Sequence, residues 1–269
     1  MTLLFSSMNE QPVIDIDIAE RGLAYGDGHF TTAKISEGKI EHLALHIARL
    51  EHAHHVLGLA KTVAEIDSKR LRAYLTRVSV DYDMAVIKVI ITSGAGGRGY
   101  ARTGLDTLNI YVQISPFPQQ YNLWQEQGLH IGLGQFVLSS NPSLAGLKHL
   151  NRLEQVLIKD ELEQRDEQDI LLCDQGGHVI EASSANVFWF KNDQWYTPDL
   201  SASGVDGVYR QFILSKIDDI HVGHYSSSEL ENVETMFICN SLMEVMPIAK
   251  YKSVPLSIAP INSLREMLK

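Results

Sequence analysis

The sequence is poor in cysteine, in basic side chains and in long apolar runs. Two cysteines among 269 residues, Cys173 and Cys239, cannot build a disulfide scaffold or a four-thiolate metal site. The 23 lysines and arginines are outnumbered by 33 acidic side chains, which leaves a net charge of −10. Because phosphate backbones and anionic lipids require a basic surface, this balance disfavours a general nucleic-acid or membrane-surface binder.

The sequence also predicts neither a membrane-spanning segment nor a secretory signal. No apolar run approaches the roughly 20 residues that span a bilayer. The first seven residues carry no basic region and too short an apolar stretch for a secretory signal. We therefore expect a reduced, cytoplasmic, globular protein in which both cysteines are small core residues of apolar strands.

What the chain does contain is 45% hydrophobic residues in alternating strand-like and helix-like patterns, enough for one large domain or two modest ones. Two prolines without periodicity at 115–120 predict a linker over 116–122. It would join a small N-terminal domain (1–115) to a larger C-terminal domain (123–269). This mixture predicts an α/β (α+β) fold with the active site in the interdomain cleft. The predicted strands are 13–18, 29–36, 85–92, 108–114, 129–138, 169–173, 178–181, 186–190 and 235–239, and the predicted helices are 42–58, 65–78, 150–165 and 207–217.

A glycine-rich stretch at Gly94–Gly99 matches the pattern G-x-G-x-x-G of dinucleotide-binding folds. That motif needs a helix opening on its third glycine and an acidic residue about 20 positions later. Here the next predicted element is the strand at 108–114, and no acid follows at the required distance. We therefore expect a hairpin or lid loop, and a nicotinamide oxidoreductase remains a minor alternative.

Five histidines cluster on the first long helix. His42 and His46 lie four residues apart, as zinc ligands on a helix do, and His52, His54 and His55 follow. The sequence specifies no third ligand and no nearby general base. A solvated, histidine-rich helix face is the interpretation we favour.

Separate features of the chain meet the needs of pyridoxal phosphate, which requires a Schiff-base lysine, a carboxylate for its ring nitrogen, and a cation with N–H groups for its phosphate. Lys148 follows an apolar stretch that would desolvate its amine and lower its pKa. Glu181 ends a strand before five small residues, which leaves room for a flat ring. Taken alone, each feature has an ordinary structural explanation. The remaining candidates are Arg49 on the first helix, the helix start at Gly207–Arg210, and Ser241.

The order and spacing of these motifs, from Arg21–Gly28 to Glu244–Pro247, resemble the branched-chain/D-amino-acid aminotransferase-like (fold type IV) pyridoxal-phosphate enzymes. The resemblance implies a two-domain fold with the active site in the interdomain cleft, and usually a homodimer. It also implies a role for each motif residue. Those roles are the Schiff base for Lys148, the ring nitrogen for Glu181, and the cofactor phosphate for Arg49, for the backbone N–H groups of Val208 and Tyr209, and for the hydroxyl of Ser241.

Within this group, the threonines of Gly26–Thr32 and the loop Gly96–Tyr100 are similar to those of the lyases. The resemblance then implies conversion of 4-amino-4-deoxychorismate to 4-aminobenzoate and pyruvate, a step of folate synthesis. Thr32 would relay a proton, and Arg98 and Tyr100 would bind substrate. Two alternatives stay open: a transaminase acting on D- or branched-chain amino acids, and a non-catalytic ligand-binding protein on the same fold.

Overall fold

The computed structural model describes residues 2–268 and divides into two compact units. The first unit runs to Pro118 and also includes Lys148–Asn151; the second consists of Gln119–Leu147 and the chain from Arg152 onward. The chain therefore leaves the first unit after Pro118 and returns to it for four residues. Strands and helices are mixed in both units, which confirms the predicted α/β (α+β) class.

The first unit is built on a six-stranded sheet with the order β2-β1-β6-β5-β3-β4. Its strands are antiparallel throughout. The elements are β1 (Phe5–Met8), β2 (Gln11–Pro12), α1 (Arg21–Tyr25), β3 (Gly28–Ser36), β4 (Lys39–Ile40), α2 (Leu43–Val56), α3 (Leu59–Thr62), α4 (Ser68–Ser79), β5 (Met84–Thr92) and β6 (Asn109–Pro116).

Buried and partly buried side chains alternate along the strands, and this alternation shows which face of the sheet packs against the helices. On β3, Ala33 and Ile35 are buried in a core that they share with Ile47 and Leu50 of α2 and Leu71 of α4. The residues between them on β3 are only partly buried. Because successive strand side chains point to opposite faces, one face packs against helices and the other presents a separate surface.

The alternating segment 13–18 is not a strand, so that prediction is wrong. Of residues 11–18, only Gln11–Pro12 forms a strand, which pairs with β1. The chain after Pro12 is irregular up to α1. Ile14, Ile16 and Ile18 are exposed, and Asp17 accepts the N–H of Ala19 at the turn that leads into α1. Alternation reports which side chains share a face, but a strand also needs a neighbour to pair with.

The second unit is built on a nine-stranded sheet with the order β12-β11-β10-β13-β14-β7-β8-β9, in which β15 also pairs with β14. Its elements are α5 (Gln120–Gln127), β7 (Leu129–Leu138), α6 (Leu153–Leu162), β8 (Asp169–Asp174), β9 (Val179–Ala182), β10 (Asn186–Lys191), β11 (Gln194–Pro198), α7 (Val208–Lys216), β12 (Ile220–Gly223), a 3₁₀ turn (Ser227–Leu230), β13 (Thr235–Asn240), β14 (Glu244–Tyr251), β15 (Val254–Pro255) and α8 (Ala259–Met267).

The central strands of this sheet are buried on both faces. Phe188 of β10 and Phe237 of β13 stack at 5.0 Å and pack with α7 and α8. Trp189 and Ile238, one position along each strand, belong to the core on the opposite face. Burial on both faces explains why these strands read as continuous apolar runs in the sequence.

Most predicted elements are confirmed within a few residues, but the helix expected at 150–165 begins only at Leu153. The sequence analysis missed α5, β14 and α8. Buried Cys239 is confirmed as a core residue, whereas Cys173 is only partly buried. Across residues 2–268, the helices are all too short or too polar to cross a membrane.

Candidate active site

Lys148 lies in an extended segment that pairs with the start of β3. Its carbonyl accepts the N–H of Phe30 at 2.9 Å, and the N–H of Leu150 donates to the carbonyl of Gly28 at 3.0 Å. The side chain of Asn151 also donates to the carbonyl of Gly26. Backbone hydrogen bonds therefore hold Lys148, with its Nζ 4.9 Å from the centroid of the Phe30 ring.

The sheet face that bears Phe30 also bears a row of polar side chains. Thr32 of β3 pairs with Lys88 of β5, which pairs in turn with Gln113 of β6. Directly paired residues in antiparallel strands point to the same face. Thr32, the predicted proton relay, is therefore on the same face of the sheet as Phe30, two positions away along β3.

Lys88 is a candidate that the sequence analysis missed. Its Nζ lies 4.8 Å from the same Phe30 centroid that Lys148 approaches. Burial lowers the pKa of Lys88, and its ammonium finds no ion-pair partner within residues 2–268. The available signal was a single lysine inside the apolar run of β5, where an ordinary strand would carry a hydrophobic residue.

The expectation of a solvated histidine face on α2 is confirmed for His52 and His55, which are exposed, but is wrong for His46 and His54. His46 and His54 are buried on the stripe that also holds Leu50. Thr31 Oγ1 lies 2.6 Å from His46 Nδ1, and His54 Nε2 lies 2.7 Å from the carbonyl of Ala64. These contacts satisfy ring nitrogens that would otherwise be costly to bury.

The predicted phosphate arginine, Arg49, lies one turn after His46 on α2. Burial, helped by the positive charge of Arg49, lowers the pKa of His46 to about 3, so this ring is neutral. No group of three or more histidine, cysteine or acidic side chains is arranged for a metal ion in the described part of the chain.

The glycine-rich stretch forms the loop between β5 and β6, two antiparallel neighbours. The hairpin expectation is confirmed, and no helix follows the glycines as a dinucleotide site would require. Arg98 and Tyr100 are exposed on this loop, and the Tyr100 ring meets the edge of the Tyr25 ring at 5.4 Å.

In the second unit, Glu181 is connected to the start of α7 by hydrogen bonds. Its carboxylate is buried and accepts the N–H of Val205 at 2.9 Å. The side chain of Asn186 donates to the carbonyl of Val205 and accepts the N–H of Gly207. Two of the predicted site features, the carboxylate and the helix start, are thus held together by one short loop.

Helix α7 begins at Val208 and places backbone N–H groups at its N-terminus, the kind of donor that a phosphate group accepts. Gly207 caps the helix without a side-chain hydrogen bond, and Val208 and Tyr209 follow, both buried. A Cβ on Gly207 would lie 2.1 Å from Asn186 Oδ1, so only glycine fits here. Ser241 is buried just beyond β13, whose Cys239 pairs with Asn186 of β10.

The chain is similar to known proteins over most of its length. The family model of amino-transferase class IV matches residues 28–251. An aminodeoxychorismate lyase from Vibrio harveyi is 32% identical over 246 residues, covering 90% of this chain and 89% of that protein. A D-alanine aminotransferase from Bacillus licheniformis is 24% identical over 92% of this chain and 87% of its own.

The solved structure of 4-amino-4-deoxychorismate lyase from Pseudomonas aeruginosa superposes with a TM-score of 0.91 at 29% identity, covering 98% of both chains. Members of this family use pyridoxal phosphate. The family model covers most of the chain, the Vibrio relative exceeds 30% identity, and the fold matches throughout. The chain therefore belongs to the class IV aminotransferase family.

Proposed function

We propose that this chain is a pyridoxal-phosphate-dependent lyase that converts 4-amino-4-deoxychorismate to 4-aminobenzoate and pyruvate. The observation that carries the proposal is its similarity over nearly its whole length to two lyases named for this substrate, one by sequence and one by structure. The similarity to a D-amino-acid transaminase is weaker. The reaction would serve folate synthesis.

The residues of the chain fit this cofactor. In the first unit, Lys148 supplies an amine beside an aromatic ring, and Arg49 supplies a cation. In the second unit, Glu181 is a buried carboxylate and α7 provides a helix N-terminus. A lysine, a carboxylate, a cation and a helix N-terminus are the donors that pyridoxal phosphate requires. When bound, the cofactor withdraws electrons from the substrate carbon that carries the amine.

In this proposal, Lys148 first holds the cofactor and then acts as a base at its Nζ. Backbone hydrogen bonds on both sides of the residue fix where its side chain starts. Phe30 borders the amine and limits the approach of water to that side. A lysine positioned in this way can take a proton from the substrate carbon and hold it.

Glu181 would hold the ring nitrogen in its protonated form. Its carboxylate is buried and is fixed by the N–H of Val205. The N–H groups of Val208 and Tyr209, the guanidinium of Arg49 and the hydroxyl of Ser241 would bind the phosphate. A helix N-terminus favours a dianion through its unpaired N–H groups and its dipole.

Thr32 would pass a proton to the departing three-carbon group, which leaves as pyruvate. Its position on the face of Phe30 and Lys88 supports this role. Thr32→Val keeps the shape and removes the hydroxyl. Because a positioned proton-transfer group contributes about 10²–10⁴-fold, we expect kcat to fall at least about tenfold while the cofactor stays bound. An unchanged kcat would leave Thr32 only a structural role.

The substrate carries two carboxylates and needs cations. Lys88 is our candidate within the first unit, because a half-buried ammonium without an acidic partner is suited to an incoming anion. Arg98 and Tyr100 remain candidates from the exposed loop between β5 and β6.

The function is tested by incubating the purified, cofactor-loaded protein with 4-amino-4-deoxychorismate. Fluorescence follows 4-aminobenzoate, and a coupled assay follows pyruvate, with no 2-oxo acid added. Equal amounts of both products are expected, and Lys148→Ala is the control that should abolish them. Turnover of a D-amino acid only when a 2-oxo acid is present would establish the transaminase instead. Cofactor binding without either activity would leave a binding protein.

We further infer a homodimer in the cytoplasm. Exposed apolar side chains of the first unit, Ile14, Ile16 and Ile18, and of α6, Leu153 and Val156, support self-association. Light scattering after gel filtration should give twice the 30.1 kDa of one chain. A mass of one chain at micromolar concentration would contradict this inference.

A further inference from the structure

A fully buried arginine forms hydrogen bonds with the backbone of the loop between β5 and β6. Arg21, at 2% exposure, donates from its two Nη atoms to the carbonyls of Gly99 at 3.0 Å and Tyr100 at 3.1 Å. Its Nε donates to Asp27 at 3.0 Å and to Ser93 at 3.1 Å. One guanidinium therefore joins the start of the loop, its tip and the turn before β3.

A second arginine completes this network. Arg102 Nε donates to both carboxylate oxygens of Asp27, at 3.0 and 3.1 Å, and its Nη2 also contacts Asp27. Its Nη1 donates to the carbonyl of Leu57 at the end of α2, at 2.8 Å. Burial alone would raise the pKa of Asp27, but hydrogen bonds from Arg102, Ser93 and Arg21 outweigh it and lower the pKa to about 2.

The loop sequence is adapted to this guanidinium. Gly97 has a φ of +76°, and a Cβ there would lie 3.0 Å from Arg21 Nη1 and 2.9 Å from the carbonyl of Ala101. A side chain at residue 97 would therefore push the loop away from Arg21. Gly104 has a similar φ of +82° but open space around it. Both positions have a positive φ, but only Gly97 lies against Arg21. Comparing an alanine at each position therefore distinguishes the effect of backbone conformation from the effect of contact with the guanidinium.

We propose that Arg21, Asp27 and Arg102 form a positioning network that fixes the loop so that Arg98 and Tyr100 are presented in one orientation. The side chains at the loop tip, Arg98 and Tyr100, are exposed. Carbonyls held by a buried guanidinium restrict the backbone that carries these side chains, because leaving a buried arginine without its acceptors is strongly unfavourable. Arg21, Asp27 and Arg102 act through the loop and are positioning residues. The part of the proposal that concerns substrate rests on the proposed function.

The test uses Arg102→Met and Gly97→Ala in the cofactor-loaded enzyme. Arg102 is partly accessible, so its loss should be tolerated better than the loss of buried Arg21. Arg72→Met, an exposed arginine on α4, and Gly104→Ala are the matched controls. The first readout is the rate of trypsin cleavage after Arg98, which needs no substrate and reports local opening of the loop.

Both test variants should be cut after Arg98 at least about tenfold faster than the wild type, with the controls unchanged. The KM for 4-amino-4-deoxychorismate should rise about tenfold or more, with kcat changed much less, because a positioned binding contact is lost. Arg102→Lys should restore part of the KM, since it keeps the charge but not the paired hydrogen bonds. Cofactor absorbance should not change.

Unchanged cleavage and unchanged KM in both test variants would overturn the proposal. Faster cleavage with an unchanged KM would also overturn the proposal, because the network would then order the loop without positioning Arg98 and Tyr100 for the substrate. Failure of the proposed function looks different, because the wild-type enzyme itself would then release no 4-aminobenzoate. The cleavage rates would in that case still decide whether the network orders the loop.

Discussion

Replacing Lys88 with methionine is the most direct test of the polar face on the first sheet. Methionine keeps the length of the side chain and removes the charge. The ammonium of Lys88 lies 4.8 Å from the Phe30 centroid, which the amine of Lys148 also approaches at 4.9 Å, and has no acidic partner in the described chain. In the proposed function, this charge binds an anionic group of the substrate.

The expected changes in kcat/KM and in the free energy of unfolding follow from the surroundings of the Lys88 ammonium with and without a bound anion. A hydrogen bond to a charged group contributes about 1.5–3 kcal/mol, which corresponds to roughly a 10- to 150-fold loss of kcat/KM for Lys88→Met. The fold should lose nothing, because burial lowers the pKa of Lys88 and so disfavours its charged form. We expect an unchanged or slightly higher free energy of unfolding.

Steady-state kinetics of the cofactor-loaded enzyme and urea unfolding measure the two quantities on the same samples. Lys69→Met, an exposed lysine on α4, is the matched control and should change neither. A kcat/KM of Lys88→Met within twofold of the wild type would refute the assignment. Parallel losses of activity and stability would refute it as well, because they would show a structural role.

Three further predictions concern other parts of the proposed site and its support. Glu181→Gln should retain the cofactor but lose at least about 10²-fold in kcat, since a neutral amide no longer favours a protonated ring nitrogen; wild-type turnover would exclude that role. Thr31→Val should lower the free energy of unfolding by about 1–3 kcal/mol, because it leaves a nitrogen of buried His46 without its partner, whereas Thr31→Ser should restore most of it. Asp27, whose pKa falls to about 2 in the fold against 3.8 ordinarily, stabilises the protein above pH 4 and loses this contribution as the pH drops towards 2. The stability difference between the wild type and Asp27→Asn, measured by urea unfolding, should therefore shrink over that range, and a constant difference would contradict the assignment.

Local turn chemistry was readable from the sequence. Glu37-Gly38 joins β3 to β4 with positive φ at both residues, the geometry that matches the twist of paired strands. The antiparallel pairing of β5 and β6 could likewise be inferred from two apolar strands joined by glycines. The hairpin prediction at Gly94–Gly99 succeeded because it depends on neighbours in the chain.

The predictions that failed concern residues whose partners are close in space but distant along the chain. The pattern of α2 shows that His46 and His54 lie on one stripe, but only the fold shows that Thr31 and Ala64 supply their partners. In the same way, Lys88 becomes a site candidate only when pairing sets it beside Thr32. The roles of Lys148, Glu181 and Arg49 came from family motifs and remain predictions.

The return of Lys148–Asn151 to the first unit has a consequence for biosynthesis. Gly28 and Phe30 use this segment as a hydrogen-bonding partner, although it emerges from the ribosome more than 100 residues after them. A fragment that ends at Pro118 would leave those backbone groups of β3 unpaired. The first unit therefore cannot be completed as the chain is made until part of the second has been translated, and cutting the gene after codon 118 should yield an aggregation-prone product.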